Sequence, residues 1–476
     1  MDTIQHVIDG KRAASADEAT FQTIDPWARE PWAEVALGGR AEVDAALDAA
    51  RRAFDEGPWP RLSPVERGAI LHRLADLIEE NADDLAARDT RDMGKPVSVM
   101  HRIDVPNAAE NLRYFADHAR LSTATTYPRD DGHHLYDRYE PAGVVAAIAP
   151  WNFPLMLGTW KVAPALAWGN TVVMKPAEQS PASAEQLALL AIEAGMPPGV
   201  LNVVHGFGPD SAGELLTTSD RIDRVTFTGE SRTGAVITAA AAPNLVPVTI
   251  EAGGKGANLI FADADLDAAV AYSGRAIFSN SGQVCTSGSR IYVQAPVYEE
   301  FVARLVELAD GMVLGDPRDP ETQVGPLASE EQYDKVVGYL DTVPEDGGKI
   351  VTGGPVDDAW MVRPTVLVDL PQDARVCRNE IFGPVVVVSR FETDEEAVSL
   401  ANATRYGLSA FVHSQNVRRA HQIAHRLRAG TVWVNCAGIR DKRTPFGGFG
   451  ISGIGREGGD FSREFFTEPK TVVMEI

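Results

Sequence analysis

The chain has 476 residues, 44% hydrophobic and 23% charged, the balance of a soluble globular protein long enough for two or three domains. Its 44 lysines and arginines face 67 aspartates and glutamates, and the resulting formal charge of −23 repels phosphate backbones and argues against a nucleic-acid partner. Cys285, Cys377 and Cys436 are too scattered for a disulfide framework and suit a reducing cytoplasm; the opening MDTIQHVIDGKR lacks the regions of a secretory signal, and no bilayer-spanning run is read.

The first ~120 residues read as a strand-like lead-in followed by helices. Residues 40–54 place Val43, Ala46, Leu47 and Ala50 on one face. Ser63 and Pro64 have the order of an N-cap and first helical residue. A further helix is expected over 108–121. Residues 121–139 turn polar and extended, which predicts an arm or hairpin. Short apolar strands then follow at 144–149, 171–174, 201–204, 225–228 and 246–250, with helices at 183–194, 211–216 and 232–242. The second half repeats the pattern. Strands are expected at 258–261, 290–293, 365–368, 385–388, 410–413 and 431–434, and helices at 266–279, 298–309, 330–340, 395–402 and 418–427. Alternation of this kind predicts an α/β protein with two doubly wound parallel sheets, whose ligands sit at the carboxyl ends of the strands. Residues 471–474 read as a terminal strand in need of a partner sheet, in another subunit for instance.

Chemistry-bearing residues collect at these strand ends. Cys285 lies in FSNSGQVCTSGSR among small polar residues, which leave a substrate carbon room to reach the thiol. Trp151-Asn152-Phe153 follows the strand at 144–149; Asn152 is a candidate donor to a developing oxyanion, or a turn cap. Lys175 and Glu178 follow the next strand and suit ribose hydroxyls, or form an exposed charge pair. Gly229-Glu230 to Gly234 opens a helix and suits an anion, or is a plain tight turn. Glu251 is a candidate general base, or a salt-bridged loop residue. Glu380 and Phe382 precede a strand, and Arg456-Glu457 sits in a glycine-rich loop. No metal-ligand spacing occurs, so no metal is predicted.

Taken together, PWNFP, KPAE, FTG-x4-G, EAGGK, F-x3-GQ-x-C-x4-R, EIFGP and PFGG…SGIGREGG, in that order, resemble the aldehyde dehydrogenase superfamily over nearly the whole chain. The resemblance implies Cys285 as nucleophile, Asn152 as oxyanion donor and Glu251 as the base that activates water. Lys161 and Glu457 would relay protons to it. Lys175 and Glu178 would hold the adenosine ribose, Gly229 and Gly234 the pyrophosphate, and Glu380 the nicotinamide ribose, with Phe382 and Trp151 beside the cofactor. That cofactor would be NAD, with NADP possible. Glu230 stands where Ser is common, so a hydroxyl–phosphate bond is not expected there. Ala252 replaces a common Leu. Residues 1–120 and 141–253 would form the NAD-binding domain and 254–459 the catalytic domain. Residues 121–140 and 460–476 would form the arm of a homodimer or homotetramer. Ile439-Arg-Asp-Lys-Arg-Thr-Pro-Phe446 and GREGGDFSREFFTE are similar to the hydroxymuconic semialdehyde dehydrogenase branch. That similarity makes Arg440 and Arg443 candidates for holding a substrate carboxylate, with Phe153, Trp160 and Phe446 lining an apolar tunnel. Asn107 stands where the branch commonly carries Arg. The competing substrates are neutral aromatic or aliphatic aldehydes. CoA-acylating oxidation is a further alternative, which Glu251 argues against.

Overall fold

The strand Val144–Ile148 is apolar and buried along its whole length, so both its faces need cover. In the computed structural model, which describes residues 1–357 and 359–476, it is the middle of a parallel five-stranded core. The neighbours are Arg224–Gly229 and then Val248–Ala252 on one side, and Thr171–Lys175 and then Leu201–Val203 on the other. Antiparallel flanks, Gly453–Ile454 at one edge and His6–Ile8 with Lys11–Ala13 at the other, complete eight strands. The order of strands reverses between Val144–Ile148 and Arg224–Gly229, which opens a crevice above their carboxyl ends.

The second large sheet runs Lys349–Pro355, Val362–Val368, Val385–Phe391, Arg290–Gln294, Ala257–Ile260, Ser409–His413 and Thr431–Val434. All its pairings are parallel except that of Lys349–Pro355. The chain therefore has the two expected doubly wound sheets. Ser63 caps the helix Pro64–Glu80 reciprocally with Glu66, as its sequence order predicts.

Several elements escape the sequence reading. The helix Pro154–Ala167 is buried on nearly every side, so it has no polar face and no helical period to detect. The helix Ala82–Met93 and the edge strand Lys349–Pro355 were also absent from the expected elements. The terminal strand is longer than expected, Thr467–Glu475, and its partner lies in the polar arm segment. It pairs antiparallel with His133–Pro141 of the same chain, along its full length. Tyr127, Val473, Met474 and Ile476 leave apolar surface exposed on this arm. Among the described residues, no helix is long and apolar enough to cross a membrane.

His6 and His205 stack at 5.7 Å, both fully buried. Nδ1 of His6 accepts from the His205 backbone N–H at 3.1 Å, and Nε2 of His205 donates to the Gln5 carbonyl at 3.0 Å. Burial holds His6 down to about 4, only partly offset by Glu42, and His205 down to about 3. Between those values and the ordinary histidine range the unfolded chain binds more protons, so stability falls as pH falls. Each ring contributes about 1.4 kcal/mol per pH unit below about 6.5. A His205→Gln variant, compared with the parent by denaturant melts from pH 7 to pH 5, is expected to narrow its stability deficit at that rate.

Candidate active site

Cys285 is presented by an unusual turn. Asn280, Ser281 and Gly282 take φ values of 51°, 52° and 72°, a left-handed stretch just before the thiol. Ser281 is the strained member, at a cost of roughly 1–2 kcal/mol. Gly282 is required outright, because a Cβ there would lie 2.0 Å from the Gly383 carbonyl oxygen. The Cys285 carbonyl in turn rests on Gly254, where a Cβ would approach it to 2.5 Å. Glycines thus let the thiol loop close directly onto the exit of the strand Val248–Ala252.

That strand carries Glu251. The carboxylate is buried and neither of its oxygens has a hydrogen-bond partner among the described residues. Space for it comes from Gly447, where a Cβ would sit 2.7 Å from Oε1. Burial and the nearby Glu457 push Glu251 well above the carboxylate range, against the pull of Lys161, Arg440 and Arg456. Burial likewise pushes the Cys285 thiol up to about 12, with Glu380 and Glu251 adding to the effect and Arg440 opposing it. An unpartnered carboxylate and a desolvated thiol, placed together, are the marks of a reactive centre.

Lys161 donates to Glu457 Oε1 at 2.8 Å, and Thr226 Oγ1 donates to the same oxygen at 3.1 Å. Trp160 Nε1 donates to Oε2 at 2.7 Å. Both oxygens of Glu457 are therefore partnered, and no hydrogen bond among the described residues links it or Lys161 directly to Glu251. Their tie to Glu251 is electrostatic in this state. Asn152 is 3% exposed and gives one amide hydrogen to the Gln283 carbonyl at 2.9 Å, leaving the other free.

Glu380 lies across Gly253 and Gly254. Its Oε1 accepts from the Gly254 N–H at 2.8 Å, and a Cβ on Gly253 would strike its Oε2 at 1.9 Å. Burial brings it up to about 7, opposed by that N–H. Phe382 stands beside it at φ 62°, a left-handed non-glycine outlier held by Gln332 Nε2 on its carbonyl at 2.7 Å. Its ring meets Trp151 edge-on at 5.3 Å. The buried Lys175 ammonium holds the Pro176 carbonyl at 2.9 Å and stands 3.5 Å from Glu178, with its pKa lowered by burial. Gly229 makes room for the ring of Phe227, and Gly234 for Ile250, so the helix Ser231–Ala241 packs close to its strand. Glu230 precedes that helix, exposed and without a side-chain cap bond. Among the described residues no group of three or more metal-binding side chains converges.

The substrate-side residues divide. Arg440 lies over the Phe446 ring at 3.8 Å and the Trp160 ring at 5.2 Å, and it acts electrostatically on Cys285, Glu251 and Glu457. Phe446 is pinned next to Glu457 by paired backbone bonds of 2.8 Å. Arg443 is not brought in. It is 78% exposed and its guanidinium is bound to Asp441, at 2.9 and 3.1 Å through Nε. One ring face of Phe153 is covered by the buried ammonium of Lys95, 3.6 Å away. Reasoning from sequence also misses Lys442, whose ammonium reaches Asn107 Oδ1 at 3.5 Å. Nothing in the spacing of Lys442 marks it, since Asn107 lies on the distant helix Val105–Arg120. Thr226 and Gly447 are missed for the same reason, as their partners come from other segments.

Two doubly wound sheets with a thiol, an unpartnered carboxylate and a lysine–glutamate pair at their strand ends define a two-lobed α/β protein with a candidate covalent centre. The chain belongs to the aldehyde dehydrogenase family, whose model matches residues 13–472. It is 46% identical, over the full length of both chains, to 2-hydroxymuconic semialdehyde dehydrogenase of Pseudomonas sp. strain CF600. It is 44% identical to the mitochondrial aldehyde dehydrogenase of Homo sapiens, covering 96% of this chain and 89% of that one. Among solved structures, the NAD+ complex of an aldehyde dehydrogenase from Bacillus cereus superposes with a TM-score of 0.98 at 40% identity, covering 100% of this chain and 97% of that one.

Proposed function

We propose that this enzyme oxidises an aldehyde to a carboxylic acid with NAD, and that its substrate is a carboxylate-bearing semialdehyde of the kind released by aromatic-ring cleavage. The observation that carries the chemistry is the buried, unpartnered Glu251 carboxylate, which acts electrostatically on the Cys285 thiol. The Cys285 thiol loses its proton to solvent, and the thiolate sulfur attacks the aldehyde carbon. The free amide hydrogen of Asn152 and the Cys285 backbone N–H receive the oxyanion. NAD, when bound, supplies the hydride acceptor. Glu251 then removes a proton from the water that hydrolyses the Cys285 thioester, and Lys161 with Glu457 carries charge away behind it.

The residues present fit NAD. Lys175 keeps donor capacity toward a ribose, Glu178 opposes a 2′-phosphate and makes NADP the poorer choice, and Glu380 spans Gly253 and Gly254 at the mouth of the thiol. Residues 1–120 and 141–253 serve as the cofactor domain and 254–459 as the catalytic domain, except that Gly453–Ile454 returns to the edge of the cofactor-domain sheet. The arm, 121–140 with 460–476, joins subunits of a homodimer or homotetramer through its exposed apolar edge.

Arg440 supports the carboxylate reading, with Lys442 beside Asn107 as a second nearby cation. Arg443 carries no part of it. A charged hydrogen bond of this type is worth about 1.5–3 kcal/mol. Arg440→Met is therefore expected to raise KM for 2-hydroxymuconic semialdehyde by ~10–100-fold and that for benzaldehyde by less than ~3-fold. A parent enzyme that turns over benzaldehyde and aliphatic aldehydes as well as the semialdehyde would sink the carboxylate reading and leave a neutral-aldehyde dehydrogenase.

A further inference from the structure

We infer that Asn280 is a positioning residue, which aims the amide of Asn152 at the oxyanion by clamping two loops together. The inference rests on the roles proposed above for Asn152 and Cys285.

Asn280 Nδ2 donates to the Asn152 backbone carbonyl at 3.0 Å and lies 3.3 Å from the Gln283 carbonyl. Asn152 Nδ2 donates to that same Gln283 carbonyl at 2.9 Å. Gln283 closes the ring, since its Nε2 donates to the Asn280 carbonyl at 3.2 Å and its Oε1 accepts from Ala328 N–H at 3.0 Å. All three amides are 3% exposed or less. Spending one Asn152 hydrogen on Gln283 fixes the direction of the other, because the amide group is planar. Asn280 sets the separation of the two carbonyls that define this geometry. Its left-handed backbone, at φ 51° and ψ 38°, is what turns the side chain back toward Asn152. Asparagine is the side chain that both tolerates this conformation and carries the amide. The buried Oδ1 of Asn280 has no partner among the described residues, so its donor end alone makes the clamp.

The test is a double-mutant cycle on initial rates of NADH formation, with the aldehyde of highest turnover. Asn280→Gly keeps the left-handed turn and removes the clamp. Asn280→Asp keeps the shape and replaces the donor with an acceptor. Each is expected to lower kcat by ~10–100-fold with KM for the aldehyde nearly unchanged, as removal of an orienting partner does elsewhere. In an Asn152→Ala background, the same substitutions are expected to cost less than ~3-fold, since there is no amide left to aim. The rate of Cys285 alkylation by iodoacetamide, which uses no oxyanion site, should stay within ~3-fold of the parent. Equal losses with and without the Asn152 side chain would overturn the positioning role alone, and so would a parallel collapse of alkylation. Undiminished kcat in Asn152→Ala itself would overturn the oxyanion assignment and the positioning role with it.

Discussion

Cys285→Ala is expected to end aldehyde-dependent NADH formation, by on the order of 10⁵-fold or more, because no neighbouring group can form the carbon–sulfur bond. Cys377 is fully buried in another cluster of the second sheet, and Cys436 packs by Trp433 at the far edge strand. Melting temperature should change little, since the loop is held by Gly282, Gly254 and the Asn280 ring rather than by the sulfur. Initial rates and a thermal melt check both halves. The same thiol should show a steep pH dependence. With its pKa pushed up to about 12 in the free enzyme, only a small fraction is thiolate at neutral pH. Alkylation by iodoacetamide should therefore climb close to tenfold per pH unit from pH 7 to pH 10. A plateau near pH 8 would show a thiol no more buried than an ordinary one.

Glu251→Gln is expected to lower kcat by ~10²–10⁴-fold, the range attributed to a positioned general base. Hydrolysis of the acylated Cys285 should fail first, so a burst of NADH close to one per active site should precede the slow phase. Loss of the burst along with the steady rate would instead make Glu251 essential for thiol attack alone. The same substitution should stabilise the fold at alkaline pH. A carboxylate whose folded pKa is raised subtracts stability once the pH exceeds its unfolded value, and the penalty grows up to the folded pKa. Glu251 lies in that class, through burial and the charge of Glu457. The melting temperature of Glu251→Gln relative to the parent should thus be higher at pH 9 than at pH 5. A constant difference across that range would mean the carboxylate finds a partner in solution.

The legible part of this protein is the part written in local runs. The strand Val144–Ile148 and its parallel neighbours announce themselves as short apolar segments between turn residues. Ser63 and Glu66 sit at capping-box spacing, and the bonds that form are the ones that spacing allows. The candidate centre was legible for a related reason: ligands gather at strand ends, and Asn152, Lys175, Glu230 and Glu251 all stand there. The helix Pro154–Ala167 was not legible, because burial on all sides erases its periodicity. Nor was the register of the terminal strand, since pairing Thr467–Glu475 with His133–Pro141 in one chain joins segments far apart in the sequence.

The amino-acid sequence by itself determined the two-sheet α/β class, the family and which side chains carry reactive groups. Only the tertiary structure decided what each of those groups faces. Arg440 and Arg443 are three residues apart and chemically the same, yet one lies over the Phe446 and Trp160 rings and the other is spent on Asp441. Glu251 and Glu457 are both buried carboxylates, yet Glu457 is held by Lys161, Thr226 and Trp160 and Glu251 has no partner among the described residues. Reactivity here is set by desolvation and by the count of hydrogen-bond partners, and both depend on groups contributed from distant segments.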